Sequence, residues 1–297
     1  MELTPEEQRA VDRAAAERKW ESLTLMDNFI FQKTMQSNPE LCRELCEKIL
    51  RRKIHHIVFP ESEKTVQMRR ESKGIRLDVY LRADADDYIV LEMQPVNRGF
   101  IPKRSRYYQS LSDLDCLERG QDYEEMDNSI IAFICGFDLF GRGLAMYTFR
   151  NICVEDTALE LGDGTTKMFL NIKAVTEEWK GEDEATAKAR AKAEENKQLN
   201  KELLPFYDYL CGLPTEDDFV KRLDVAVQKV KSNEKWRLDY VMYDVEMRDR
   251  EREAKDVAIT DNIRNLMQNM KWSLQQAMDA LSIAPAKQQQ YALMLNA

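Results

Sequence analysis

Two acidic residues stand inside otherwise apolar, alternating runs: Asp78 in GIRLDVYLRA and Glu92 in YIVLEMQ. In the first run Ile75, Leu77, Val79 and Leu81 face one way, and Arg76, Asp78, Tyr80 and Arg82 the other. In the second, Ile89, Leu91 and Met93 oppose Val90, Glu92 and Gln94. The DADD cluster between them forms turns readily, so the runs read as an antiparallel hairpin with Asp78 and Glu92 on paired strands. Two neighbouring strand carboxylates are costly unless a cation neutralises them. Mg²⁺ prefers hard oxygen ligands, often one or two carboxylates together with a substrate phosphate, and it polarises a phosphodiester. Gln94, two residues after Glu92 and on the same face, is placed to orient water or hold a phosphate oxygen. The competing arrangement is a wet face on which Arg76 and Arg82 pair with the acids.

Helices flank this hairpin. Residues 5–21 read as a polar helix starting at Pro5, and 24–35 as a short second one. Asn38, as N-cap, and Pro39 open a third, ELCRELCEKILRR. Leu41, Cys42, Leu45, Cys46, Ile49 and Leu50 line one side of it, with Glu44 at the edge. On that stripe Cys42 and Cys46 read as core rather than metal ligands. IHHIVF reads as a strand, Lys103–Glu118 as a helix stopped near Gly120, and SIIAFICGF as a buried strand. LAMYTFRNI and KMFLNI add two more strands. From about Glu182 the pattern is helical, which places a break between 1–178 and 179–297. Trp236, Tyr240, Tyr243 and Met247 form a helical stripe suited to packing on its own domain, with a homo-oligomer seam as the other use.

The formal net charge of −9 argues against a generic basic coat for nucleic acid. The charge is segregated: residues 33–106 hold 16 Lys+Arg against 11 Asp+Glu, a local +5, so the remainder carries −14. A partner contacted through that segment would bind with modest, salt-sensitive affinity. No apolar run approaches the length of a membrane span, and the N-terminal residues lack the apolar core of a signal peptide. Six cysteines without a C-x-x-C pair fit reduced thiols in a cytoplasm. His55 and His56, the only histidines, are adjacent and point to opposite faces of a strand, which disfavours a metal pair. No G-x-S-x-G elbow supports a hydrolase triad. LGDGTTK lacks the spacing of a phosphate-binding loop and reads as a hairpin turn. Arg51-Arg52-Lys53 reads first as a solvated helix end and second as a DNA contact.

The order of helix, strand with Asp78, strand with Glu92-Met93-Gln94, basic helix and buried strand resembles the PD-(D/E)XK nuclease core. More narrowly, the chain resembles bacterial PD-(D/E)XK nuclease family transposases, related to recombination-promoting nucleases. The matching pieces are DNFIFQKTM, GIRLDVYL, YIVLEMQ and KRSRYYQSLSDLDCLERGQDYEEM, with KWRLDYVMYDVEMRD and SLQQAMDALSI near the end. The likeness covers most of the chain and is strongest over about 24–140.

It implies an α/β, restriction-endonuclease-like fold with a mixed central sheet flanked by helices and a helical C-terminal region. It also implies Mg²⁺- or Mn²⁺-dependent hydrolysis of DNA phosphodiesters. Asp78 and Glu92 would bind the metal, with the Met93 carbonyl completing its shell, and Glu44 is the choice for the acid that the first helix often adds. Lys103, Arg104 and Arg106, with Tyr107 and Tyr108, would meet phosphate. Leu77 replaces the proline of the superfamily's name, and Gln94 replaces its usual lysine. A neutral amide supplies neither base nor positive charge, so more of the task falls on metal. The alternative reading is a catalytically degenerate nuclease fold that binds DNA or a protein.

Overall fold

The computed structural model describes residues 4–59, 77–84, 87–116, 122–176, 178–179 and 183–296. Its helices are α1 (Pro5–Ser22), α2 (Asn28–Ser37), α3 (Pro39–Leu50), α4 (Ile101–Cys116), α5 (Glu184–Leu199), α6 (Leu204–Leu210), α7 (Asp218–Lys231), α8 (Glu234–Met270), α9 (Leu274–Ala280) and α10 (Pro285–Asn296). Its strands are β1 (Ile57–Val58), β2 (Val79–Ala83), β3 (Asp87–Gln94), β4 (Asn128–Cys135), β5 (Met146–Phe149) and β6 (Thr165–Asn171). The strands form one mixed six-stranded sheet in the order β1-β2-β3-β4-β6-β5. The pairs β1–β2, β2–β3 and β5–β6 are antiparallel, while β3–β4 and β4–β6 are parallel. A parallel neighbour requires a crossover, and α4 lies in the connection from β3 to β4. This is the mixed α/β sheet with flanking helices that the sequence implied.

Contacts divide the chain into two compact units: Leu23–Val230, and Met1–Ser22 with Lys231–Ala297. That division runs elsewhere than the break expected at 178, and it groups α5, α6 and α7 with the sheet. Polar bonds hold α5 and α6 there. Asn196 pairs with both backbone groups of Met146, at 3.1 Å each, and the Tyr207 hydroxyl donates to the Ala145 carbonyl at 3.0 Å. In the other unit α1 packs along α8. There the Trp20 and Tyr240 rings lie 5.4 Å apart, and Lys19 pairs with Asp244 at 2.8 Å. The stripe from Trp236 is therefore used in part within its own unit. Among the described residues no helix is long and apolar enough to cross a membrane.

Local chemistry explains most elements. On α3 the residues Leu41, Cys42, Leu45, Cys46 and Ile49 are buried, as their spacing requires. Asn38 sits at the N-cap, but its side chain donates back to the Thr34 carbonyl at 2.8 Å instead of capping α3. The expected IHHIVF strand shrinks to Ile57–Val58, because Asp84 Oδ1 accepts the amides of His55 and His56 at 2.9 and 3.0 Å. LGDGTTK leads into β6 beyond β5, with Gly162 and Gly164 at positive φ, which suits a turn. Ile75 and Arg76, the Gly120 helix stop and the middle of the DADD turn, Ala85 and Asp86, lie outside the described residues.

One face of the sheet is covered by α4. Ile101, Tyr108 and Leu111 of α4 pack with Val90, Ile131, Phe133, Cys135 and Phe169 of the strands. By alternation this is also the face of Asp78, Glu92 and Gln94.

Candidate functional site

β2 and β3 pair with Val79 opposite Leu91, so one step outward Asp78 lies opposite Glu92. The two residues brace each other. The Asp78 amide donates to Glu92 Oε1 at 3.0 Å, and the Met93 amide donates to Asp78 Oδ2 at 2.9 Å. The other Asp78 oxygen accepts from Asn28 Nδ2, at the start of α2, at 3.0 Å. The face is not wet: Asp78 is 7 % exposed, Glu92 2 % and Gln94 6 %.

Arg104 of α4 closes the group. Its Nη1 donates to Gln94 Oε1 at 2.7 Å, and its Nη2 donates to the Tyr108 hydroxyl at 2.8 Å and lies 3.7 Å from Glu92 Oε2. The guanidinium carbon stands 5.4 Å from the Tyr108 ring centre and 5.6 Å from that of Phe133. An arginine fork suits this multiple docking, where an ammonium would offer only a point charge. Gln94 Nε2 donates to the Val96 carbonyl at 2.5 Å. Both ends of the Gln94 amide are thus engaged. Its place is beneath the guanidinium, and the expected free amide for water or phosphate is not what the structure shows.

Burial, and then the negative charge of Asp78, push the Glu92 carboxyl well above the usual carboxylate range. The Asp78 amide bond and Arg104 pull it back only in part. Burial, and then the charge of Glu92, raise the Tyr108 phenol as well. These donors are all hard oxygens, and their repulsion is incompletely offset within the chain. That donor set fits a divalent cation. Among the described residues no three His, Cys, Asp or Glu side chains gather to hold an ion.

Glu44 is not brought to this pair. Its carboxylate is engaged by Arg222 of α7 at 2.6 Å and by Lys48 of its own helix at 3.9 Å. The helix that reaches Asp78 is α2, through Asn28, a residue the sequence reading passed over inside DNFIFQKTM. Of the α4 residues, Arg104 and Tyr108 join the site. Lys103, Arg106 and Tyr107 are exposed on α4, Lys103 with its ammonium 5.9 Å from the Phe100 ring centre. Helical phase explains the sorting: the turn that buries Ile101, Tyr108 and Leu111 carries Arg104 inward.

A family model described as PD-(D/E)XK nuclease family transposase matches residues 28–256. No curated protein and no solved structure matches the chain. The matched span runs from Asn28 through Asp78, Glu92 and α4 into α8.

Proposed function

The chain belongs to the PD-(D/E)XK nuclease transposase family, and on that footing we propose that it is a metal-dependent DNA endonuclease of transposase or recombination-promoting type. The observation that supports this most is the reciprocal bracing of two buried carboxylates, Asp78 and Glu92, with a guanidinium at their edge. Asp78 and Glu92 would hold Mg²⁺ or Mn²⁺, with the Met93 carbonyl as a third oxygen. Such an ion, when bound, polarises the scissile phosphodiester and makes water a better nucleophile.

The chain's own groups do the rest. Asn28 and the Met93 amide fix the Asp78 carboxylate, so its orientation is set before substrate arrives. Arg104 supplies the positive charge that Gln94 lacks, and it stabilises charge developing on phosphate. Gln94 and Tyr108 aim that guanidinium. Lys103, Arg106 and Tyr107, exposed on α4, follow the DNA backbone, with the local positive charge of 33–106 behind them. We place this chemistry in the sheet unit and in a reducing cytoplasm, a setting supported by free thiols at Cys42, Cys46, Cys135, Cys153 and Cys211. A second copy of the chain is the partner assigned to the C-terminal helices, where Leu238 and Met242 of α8 are exposed.

Incubation of purified protein with DNA and Mg²⁺ or Mn²⁺ tests the reading. Nicking is expected, and Asp78→Ala should abolish it. Equal cleavage by that variant overturns the assignment.

A second reading is favoured by Arg104 itself. At 3.7 Å from Glu92 it offsets part of the acid charge without any ion, which suits a degenerate fold that only binds DNA or protein. Calorimetric titration of Mn²⁺ into wild type and Glu92→Ala separates the two. Heat that disappears in the variant supports the nuclease, and heat absent from both supports the binding module.

A further inference from the structure

Phe100 directly precedes α4, and its carbonyl accepts the Arg104 amide at 2.9 Å, so it holds the N-cap position. Caps are usually Ser, Thr, Asp or Asn on extended backbone. Phe100 instead has φ 57°, immediately after Gly99 at φ 75°. A glycine takes left-handed backbone freely, whereas a bulky side chain there is an outlier. Packing within the chain does not offset that cost. The ring is 76 % exposed, and the group over it is the Lys103 ammonium, 5.9 Å from its centre. A strained residue that the fold does not need points to a use outside the fold.

The surroundings select what would cover the ring. From Pro95 to Ser112 the sequence holds Arg98, Lys103, Arg104 and Arg106 and no Asp or Glu. Arg98, Lys103 and Arg106 are exposed and enter no ion pair among the described residues. Val96 and Tyr107 add exposed apolar surface in the same stretch. An apolar partner would leave the cations unmatched, and a simple anion would leave the rings bare. A DNA duplex offers phosphates but keeps its base faces stacked on one another. A single strand presents phosphates and open base faces together, and cations interleaved with aromatic rings are the usual platform for it.

We propose that Phe100 is a stacking platform for an unpaired base of single-stranded DNA, whose backbone runs along Arg98, Lys103 and Arg106. The inference rests on the reading of the chain as one that handles DNA, and it names the substrate class: an unpaired strand. Phe100 and Arg104 are about one helical turn apart, roughly 6 Å along the axis at the usual helical rise. Arg104 in turn borders the carboxylate pair, 3.7 Å from Glu92. A phosphate held at Arg104 therefore has a neighbouring base within reach of the ring.

The test uses the full chain with a chelator and reads the anisotropy of fluorescein-labelled strands. Oligothymidylate is expected to bind about tenfold more tightly than its duplex with oligoadenylate, or about 1.4 kcal/mol. It should also bind about tenfold more tightly than an abasic strand of equal length, which keeps every phosphate and lacks the bases. Phe100→Gly should lower the affinity for oligothymidylate to that for the abasic strand. Its denaturation midpoint should hold or rise, because glycine takes the left-handed backbone freely. A ring needed only by the fold would lose stability instead. Phe100→Trp should keep the preference for bases. Equal affinity of wild type for the thymidylate and abasic strands, or undiminished binding by Phe100→Gly, overturns the proposal. So does a failure to bind the single strand at all, which would leave the ring to a protein partner. Base-selective binding without nicking in Mn²⁺ removes the nuclease reading alone, and nicking without base selectivity removes this inference alone.

Discussion

Asp78 and Glu92 are tied to each other through backbone as well as charge: Glu92 Oε1 accepts the Asp78 amide at 3.0 Å, while Asp78 Oδ2 accepts the amide next to Glu92, that of Met93, at 2.9 Å. Each carboxylate keeps part of its acceptor capacity after this exchange. The pair is held open by hydrogen bonds that oppose its own repulsion.

Glu92→Gln follows from that balance. The amide oxygen still accepts from Asp78, and one of two repelling charges is gone. Metal-free stability should hold or rise by about 1 kcal/mol, while nicking is lost. Mn²⁺ should raise the melting temperature of wild type, since a ligand stabilises the state that binds it, and should leave the variant unchanged. Thermal melts with and without Mn²⁺, or with a chelator, check both halves.

Restoring the superfamily lysine should not improve the proposed cleavage. In Gln94→Lys an ammonium would replace the acceptor that lies 2.7 Å from Arg104 Nη1. Like charges at that spacing displace the guanidinium from Glu92 and Tyr108. The expected result is a loss of about 1–3 kcal/mol in stability and slower nicking than wild type. A variant faster than wild type would overturn the charge-stabilising role proposed for Arg104.

Gly136→Ala probes the support beneath Gln94. The Gly136 amide donates to the Gln94 carbonyl at 2.9 Å, and a Cβ there would lie 2.4 Å from the Pro95 carbonyl oxygen. Backbone must shift to admit it. A destabilisation of about 1–3 kcal/mol is expected, with nicking reduced beyond the loss of folded protein. Chemical denaturation and single-turnover cleavage on the folded fraction measure the two effects.

Asp244 gives the helical unit a pH dependence of definite sign. Burial raises its pKa, but the hydrogen bonds from Lys19, at 2.8 Å, and Arg248, at 2.6 Å, outweigh it, so the folded value is lowered. A lowered carboxylate contributes stability above its unfolded pKa and loses it as pH falls through the folded one. Asp244→Asn should therefore cost about 2 kcal/mol near neutrality and progressively less in acid below pH of about 4. Denaturant midpoints measured across pH, with the gap between the two proteins closing in acid, are the expected pattern.

The hairpin and its two acids were legible because a period of two is a local property: Val79, Leu81, Ile89, Leu91 and Met93 share one buried face, which leaves Asp78 and Glu92 together on the other. The stripe of α3 was legible for the same reason. Asn28 was not, since its bond to Asp78 spans 50 positions and no periodicity marks it. Nor was the fate of Glu44, which depends on Arg222, 178 positions away. Arg104 stood beside Lys103 and Arg106 in one basic patch. Choosing among them needs the rotation of α4, which Ile101, Tyr108 and Leu111 set against the sheet. The shift to helical sequence near 182 marks a change of element type. Which unit those helices join is decided by side chains such as Asn196, which reaches Met146 of β5, and Tyr207, which reaches Ala145 just before it.

The seat of the Arg104 guanidinium against the Phe133 ring carries a consequence for how the family can vary. Phe133 has no polar atom and sits in the central strand, stacked 5.8 Å from Phe169 and 5.9 Å from Tyr108. Its ring is nonetheless the floor on which the site's cation rests. Repacking that aromatic column would tilt the guanidinium against Gln94 and Glu92 while every acid stayed in place. The charge beside the two acids is therefore set in part by an apolar position that a comparison of acidic motifs would pass over.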